Sequence, residues 1–137
     1  MSADELVAAA LAVRERAYAP YSRYLVGAAL RDESGRVHAG ANVENAAYPQ
    51  SQCAEASAIG VMVAAGGHRV NEALVIADGS LGLPSPCGAC RQRLREFAAP
   101  ETPIHLAGLA GVVRTVTLGE LLPLSFGPEY LGKEAVR

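Results

Sequence analysis

Along residues 2–18 the apolar positions Leu6, Ala9, Ala10, Val13 and Ala17 recur every three or four residues, the spacing of an amphipathic helix. Ser2 stands where it can cap that helix, Glu5 follows three residues later as in a capping box, and Pro20 ends it. Residues 25–31 and 36–40 flank Asp32-Glu33-Ser34-Gly35, a hairpin signature. Over residues 53–65 the apolar side chains Ala54, Ala58, Ile59, Val61, Met62 and Ala65 cover most of a helix's circumference, which predicts a buried helix. Residues 73–77, Ala-Leu-Val-Ile-Ala, form an uninterrupted apolar strand of the kind covered on both faces. Ser85 and Pro86 open a second apolar-faced helix over 87–98, with serine as cap and proline at its first position. Residues 104–107 and 112–117 read as strands, and 118–122 and 129–133 as short helical pieces.

Helices alternating with strands call for crossovers, hence parallel strand pairs and helices on both faces of a sheet. The expected fold class is α/β: a three-layer α/β/α sandwich around a mixed sheet of about five strands. Loop signals at Gly66-Gly67, at residues 78–86 and at 100–103 are short, so residues 1–137 read as one domain. Half of the residues are apolar and 19% are charged, which excludes intrinsic disorder. A net charge of −2 implies no broad electropositive face, so neither nucleic acid nor an anionic membrane is the expected partner. No apolar run approaches the length of a membrane-spanning helix. Arg91, Arg93 and Arg95 alternate along one predicted helix as solvated or ion-paired side chains. Cys53, Cys87 and Cys90 are an odd number, the first residues are acidic, and both features point to the cytoplasm.

Those cysteines carry the candidate chemistry. Cys87 and Cys90 have the spacing of a chelating pair, and Cys53 lies 34 positions earlier at the start of another helix. Read singly, the pair could equally be a redox dithiol, and Cys53 a small buried apolar residue. Together the three thiolates supply the ligand count of a catalytic zinc site, with a fourth position left for water. Glu55 read singly is a first-turn carboxylate facing a helix dipole. Two residues after a candidate ligand on an apolar helix, it is costly to bury unless it handles protons. His38, His68 and His105 have no ligand spacing and read as ordinary surface or loop histidines.

Cys53-Ala54-Glu55 followed by Pro86-Cys87-Gly88-Ala89-Cys90 matches the signature of zinc-dependent deaminases in its three-cysteine form. Further blocks extend the match: Tyr18-Ala19-Pro20-Tyr21-Ser22, Val26-Gly27-Ala28-Ala29, Asn42-Val43-Glu44-Asn45-Ala46, Arg91-Gln92, Leu121-Leu122-Pro123 and Ser125-Phe126-Gly127. The chain resembles the small homotetrameric cytidine deaminases over nearly its whole length. That resemblance implies hydrolysis of cytidine and deoxycytidine to uridine, deoxyuridine and ammonia in pyrimidine salvage. Zn²⁺ held by Cys53, Cys87 and Cys90 would activate the water that attacks C4, with Glu55 shuttling protons to N3 and to the leaving amine.

The resemblance also implies the substrate contacts. Asn42 and Glu44 would bind the ribose hydroxyls, the backbone of Ala54 the base, and a carbonyl near Ser85 the amine. Tyr24 stands where the family commonly has Phe beside the substrate, and Phe126 would reach a neighbouring subunit's site. Without the motif, Asn42 reads as a turn residue and Glu44 as an exposed strand-end charge. A carboxylate at the sugar repels a 5′-phosphate, so a free nucleoside is the expected substrate. The family usually places an arginine after Cys-Ala-Glu, beside the thiolates; here that residue is Ala56. Arg91, next to Cys90, is a candidate to take over part of its charge, the other reading being a solvent-facing helix residue. The competing functions are a deaminase like that acting on blasticidin S, which shares the missing arginine, and a zinc-stabilised nucleoside binder without activity.

Overall fold

The computed structural model describes residues 2–134. Helix α1, Asp4–Arg14, buries Leu6 and Ala10. Its first turn is acidic and its last basic, as the helix dipole favours. Ser2 Oγ does accept from the Asp4 N–H at 2.9 Å, but no capping box forms, because the Glu5 carboxylate faces Arg31 at 3.5 Å. The helix stops at Arg14, earlier than its apolar spacing suggests. Arg14 Nε donates to the Leu25 carbonyl, and Tyr18 leaves the helical path to bridge Val43, donating its N–H to Asn42 O.

Strands β1, Gly27–Asp32, and β2, Val37–Ala41, form the expected hairpin. Its turn is held by Asp32 Oδ1, which accepts the N–H groups of Ser34 and Arg36, while Gly35 takes the left-handed conformation at φ 88°. Helix α2, Ala54–Ala64, follows, and then β3, Val70–Ile76. β3 begins three residues before its apolar run, since Glu72 on it is paired by Arg31 at 3.1 Å and by His105 at 2.6 Å. Helix α3, Gly88–Phe97, leads to β4, Pro103–Gly108, and β5, Gly111–Thr117. A single-turn α4, Leu118–Leu121, is closed by a capping box between Thr117 and Glu120. The last predicted helical piece is a 3₁₀ turn at Pro128–Leu131.

The sheet order is β2-β1-β3-β4-β5. Among the described residues only β3 and β4 run parallel, joined through α3; the other neighbours are antiparallel, fewer parallel pairs than the alternation of elements suggests. Side-chain alternation divides the core in two. Ala28, Leu30, Ala73, Ile104 and Leu106 face α2 and α3, where Ala58, Met62 and Leu94 meet them. Ala29, Leu74, Ile76 and Ala107 face α1 through Leu6 and Ala10. The result is the expected three-layer α/β/α arrangement, with α1 alone on the second face. α1 packs on β1, β2 and β3, while β5 keeps four consecutive exposed residues, Val112–Thr115.

Two of the three histidines depart from the reading as surface or loop residues. His38 is buried on β2 with Nε2 2.7 Å from Asp32 Oδ2. His105 is buried on β4 between Glu72 and the Thr115 hydroxyl, the latter at 2.8 Å. Each occupies a core-directed strand position because a carboxylate from a neighbouring strand or turn satisfies it there. His68 is exposed, as expected.

Candidate active site

The site is built where α2 and α3 begin. Cys53 and Cys87 are the cap residues of these helices and both have extended backbones, at ψ 157° and ψ 168°. This replaces the expected cap at Ser85 and first helical position at Pro86. Helical geometry starts after Cys87, and the Ser85 hydroxyl is instead taken by Arg91 at 3.0 Å. Cys90 follows in the first turn of α3 and is fully buried. The three sulfurs lie within 4.8 Å of one another, Cys53 and Cys87 at 3.8 Å. Zn–S bonds of about 2.3 Å in tetrahedral array put sulfurs about 3.8 Å apart. The cluster therefore fits a zinc ion with three protein ligands, and two helix N-termini aim partial positive charge at the sulfurs. Hydrogen bonding within the cluster divides the thiols: Cys90 donates to Cys53 and lowers its pKa to about 6, while Cys90 itself is pushed well up.

A cavity of about 270 Å³ opens beside these sulfurs. Its lining includes Cys53, Cys87, Ala54 and Glu55, together with Tyr24, Asn42, Glu44 and Ser85. All the substrate-contact candidates except Phe126 are thus brought together. Glu55 is 4% exposed. Burial raises its pKa to about 7, against the lowering effect of its own backbone N–H; the Cys53 charge also raises it, and Cys90 and Arg93 lower it. A carboxyl balanced near neutrality can both accept and return a proton.

Glu44 is fixed by one loop. The N–H groups of Tyr21 and Ser22 donate to its Oε1 at 2.9 and 3.1 Å, and the Ser22 hydroxyl donates to Oε2. The Ser22 side chain foremost, with these N–H groups, holds its pKa below the usual carboxylate range. Asn42 is fixed equally well: Oδ1 accepts the Val26 N–H at 2.9 Å and Nδ2 donates to Tyr24 O at 2.8 Å. An amide so held keeps one N–H and one lone pair for a ligand. Ser22, Val26 and the apolar wall of Val75, Ala77 and Pro84 are part of the site that sequence reading did not single out. Ser22 lies inside the quoted Tyr-Ala-Pro-Tyr-Ser block, the one signal that could have found it.

Arg91 is placed differently from the expectation that it borders the thiolates. Nε donates to Pro86 O at 2.8 Å, Nη1 to Leu121 O at 2.7 Å and Nη2 to Ser85 Oγ, so the side chain braces the loop before Cys87. The guanidinium whose charge acts on Cys53 and Glu55 is that of Arg93. Arg95 is buried and paired with Glu129, with Nε on Ser125 Oγ at 2.8 Å. Phe126 lies outside the cavity of its own chain, half exposed against Tyr130 at a ring distance of 4.8 Å.

Comparison with known proteins agrees with this geometry. Residues 1–106 match the family model for the cytidine and deoxycytidylate deaminase zinc-binding region. The chain is 41% identical over 135 residues to a cytidine deaminase of Sporosarcina psychrophila, covering 98% of each. A crystal structure of cytidine deaminase from Burkholderia pseudomallei superposes with a TM-score of 0.86 at 42% identity, over 92% of this chain and 100% of that one. The cytidine deaminase of Mycobacterium tuberculosis superposes with a TM-score of 0.81 at 37% identity, over 93% of this chain and 98% of that one.

Proposed function

Since this chain belongs to the cytidine and deoxycytidylate deaminase family, we propose that it hydrolyses cytidine and deoxycytidine to uridine or deoxyuridine and ammonia, in pyrimidine salvage. One observation carries the reading: three clustered sulfurs, two of which line a cavity together with the buried Glu55 carboxyl. Zinc held by Cys53, Cys87 and Cys90 would supply the Lewis acidity that makes water nucleophilic near neutral pH.

The remaining steps belong to the chain's own residues. Glu55 accepts the proton of the attacking water, delivers it to N3 of the base and passes one to the departing amine at C4. Free N–H groups in the first turn of α2, at Ala54, face the base, and the carbonyl at Ser85 accepts from the amine before it leaves. Asn42 uses its spare N–H and lone pair on the ribose hydroxyls, and Glu44 accepts from a ribose hydroxyl with a carboxylate that stays ionised. That fixed charge disfavours a 5′-phosphate, so nucleosides are preferred over nucleotides. Tyr24 closes the cavity beside the sugar. Arg91 keeps Ser85 and Cys87 in register by bracing the loop between them.

Residues 1–137 act as one domain in this reading, and the protein works in the cytoplasm as a homotetramer with sites near subunit interfaces. Free cysteines and the exposed Leu124, Phe126 and Leu131 support it, with Phe126 reaching a neighbour's cavity. No helix of the described residues is long and apolar enough to cross a membrane.

The test follows the loss of cytidine absorbance and the release of ammonia by wild type and E55Q, with zinc measured in both. The expected result is activity in wild type and a loss of at least about 10²-fold in E55Q at unchanged zinc content. A zinc-loaded wild type that binds cytidine and releases no ammonia overturns the proposal. CMP and blasticidin S as alternative substrates are expected to react poorly.

A further inference from the structure

Between α1 and β1 the chain makes one isolated helical turn over residues 19–23. The Arg23 N–H donates to the Ala19 carbonyl at 2.9 Å, and Arg23 itself is left-handed, at φ 60°. A helical turn ended in this way usually has glycine or asparagine as its last residue, because a larger side chain crowds its own backbone there. Among the described residues Leu124 is the only other non-glycine residue with a positive φ, and it does not line the cavity. An arginine held in so costly a conformation has to be fixed by what surrounds it.

What surrounds it is the polar part of the site. Ser22 and Tyr24 both line the cavity, while Arg23 between them does not. The Tyr24 N–H turns back to Ser22 Oγ at 3.0 Å, closing a tight ring with Arg23 at its apex. The same Ser22 hydroxyl donates to Glu44, and the Tyr24 carbonyl accepts from Asn42 Nδ2 at 2.8 Å. Rotation of Arg23 to a negative φ would turn the Tyr24 N–H away from Ser22 and carry the Tyr24 carbonyl off Asn42.

We propose that Arg23 is a positioning residue for nucleoside recognition: its left-handed backbone, and not its guanidinium, keeps Ser22 on Glu44 and Tyr24 on Asn42. The proposal rests on the reading of Glu44 and Asn42 as sugar contacts. The Arg23 side chain is exposed and lines a separate open depression with Tyr18 and Pro20. Among the described residues its guanidinium makes no hydrogen bond and no ion pair. Its chemistry is therefore free to change, whereas its backbone conformation is not.

The experiment compares wild type, R23Q, R23N, R23G, R23T and R23V by steady-state kinetics on cytidine, by calorimetric titration with uridine, and by zinc content. R23Q removes only the charge and should match wild type. R23N and R23G enter the left-handed region more easily and should show a KM equal to or below that of wild type. Valine is among the residues that tolerate it least, so in R23V the binding-competent turn is only partly populated. Its KM should rise about tenfold and its uridine affinity fall as far, with kcat and zinc content unchanged. R23T, the milder β-branched change, should move in the same direction and serves if R23V does not fold, as far-ultraviolet circular dichroism will show. KM and uridine affinity equal to wild type in folded R23V and R23T overturn the proposal and leave the deaminase reading standing. A rise in KM shared by R23Q, R23N and R23G assigns the role to the guanidinium and overturns it as well. So does a loss of kcat or zinc in R23V without a change in KM, the mark of general damage. A wild type that binds neither nucleoside and releases no ammonia overturns both readings.

Discussion

In the proposed reading Glu44 is at once scaffold and ligand. Its two oxygens accept from Tyr21 and Ser22, so the charge offered to the sugar is held by the loop that also carries Tyr24. E44Q keeps the shape and removes the charge. Its KM for cytidine is expected to rise about tenfold, and discrimination against CMP to shrink, in steady-state kinetics. An unchanged KM with CMP still rejected would place Glu44 outside substrate recognition. Asp32 is the buried counterpart. Burial opposes its ionisation, yet hydrogen bonds from His38, Ser34 and Arg36 more than offset that, and its pKa lies far below the usual carboxylate value. A lowered pKa in the folded state means stability that is complete above the unfolded value near 4 and is lost as the pH falls below it. Metal-free D32N should be less stable than wild type at pH 7 by about 3 kcal/mol, and show a shallower loss of thermal midpoint below pH 4. Parallel acid profiles for the two proteins would contradict this. His38 and His105 read from sequence as surface or loop residues because their burial depends on cross-strand pairing: Asp32 meets His38 across the hairpin, and the folded sheet brings Glu72 and Thr115 to His105.

At the level of elements, α2 is held against the hairpin by one glycine. A Cβ at Gly40 would come within 2.4 Å of the Ala58 backbone nitrogen and 2.8 Å of the Ser57 Cβ, so α2 would have to retreat. G40A is therefore expected to lose about 1–3 kcal/mol of stability and also zinc affinity, because Cys53 and Glu55 travel with α2. At Gly27 the same atom would meet Ala10 O at 2.2 Å, on the opposite face. G27A should lower the melting temperature of the metal-free protein and leave zinc affinity as it was; calorimetry and chelator competition separate the two. The hairpin, α2 and the central strands were legible because their apolar spacing and turn residues agree with the final packing. Less legible were the ends. Tyr18 is drawn from α1 by its bridge to Val43, and Ser85 is drawn from the cap of α3 by Arg91. Three cysteines with Glu55 marked the centre of the candidate site, whereas the contacts of Tyr21 and Ser22 with Glu44 span more than twenty residues and follow no spacing rule.

At the scale of the whole molecule, Leu124, Phe126, Tyr130 and Leu131 leave apolar side chains exposed in the C-terminal part of the described residues, and Val112 and Val113 do so on β5. If Phe126 completes a neighbour's site, chains carrying F126A and chains carrying E55Q each lack what the other supplies. Coexpressed, they should form mixed assemblies with more activity than the two purified variants give separately, and simple addition of activities would argue against a shared site. The proximity of Cys53 and Cys87 has one more result. Their sulfurs are 3.8 Å apart, and a disulfide needs about 2.05 Å, so the two atoms need approach by less than about 2 Å. With an ion between them the thiolates are occupied. Once it is removed, peroxide can take two electrons and two protons from the pair, releasing water and leaving a bond where the ligands were. Chelation followed by oxidation should therefore work as a ratchet: mass spectrometry would find the apoprotein lighter by two hydrogens, and added zinc would restore nothing until a reductant had reopened the bond.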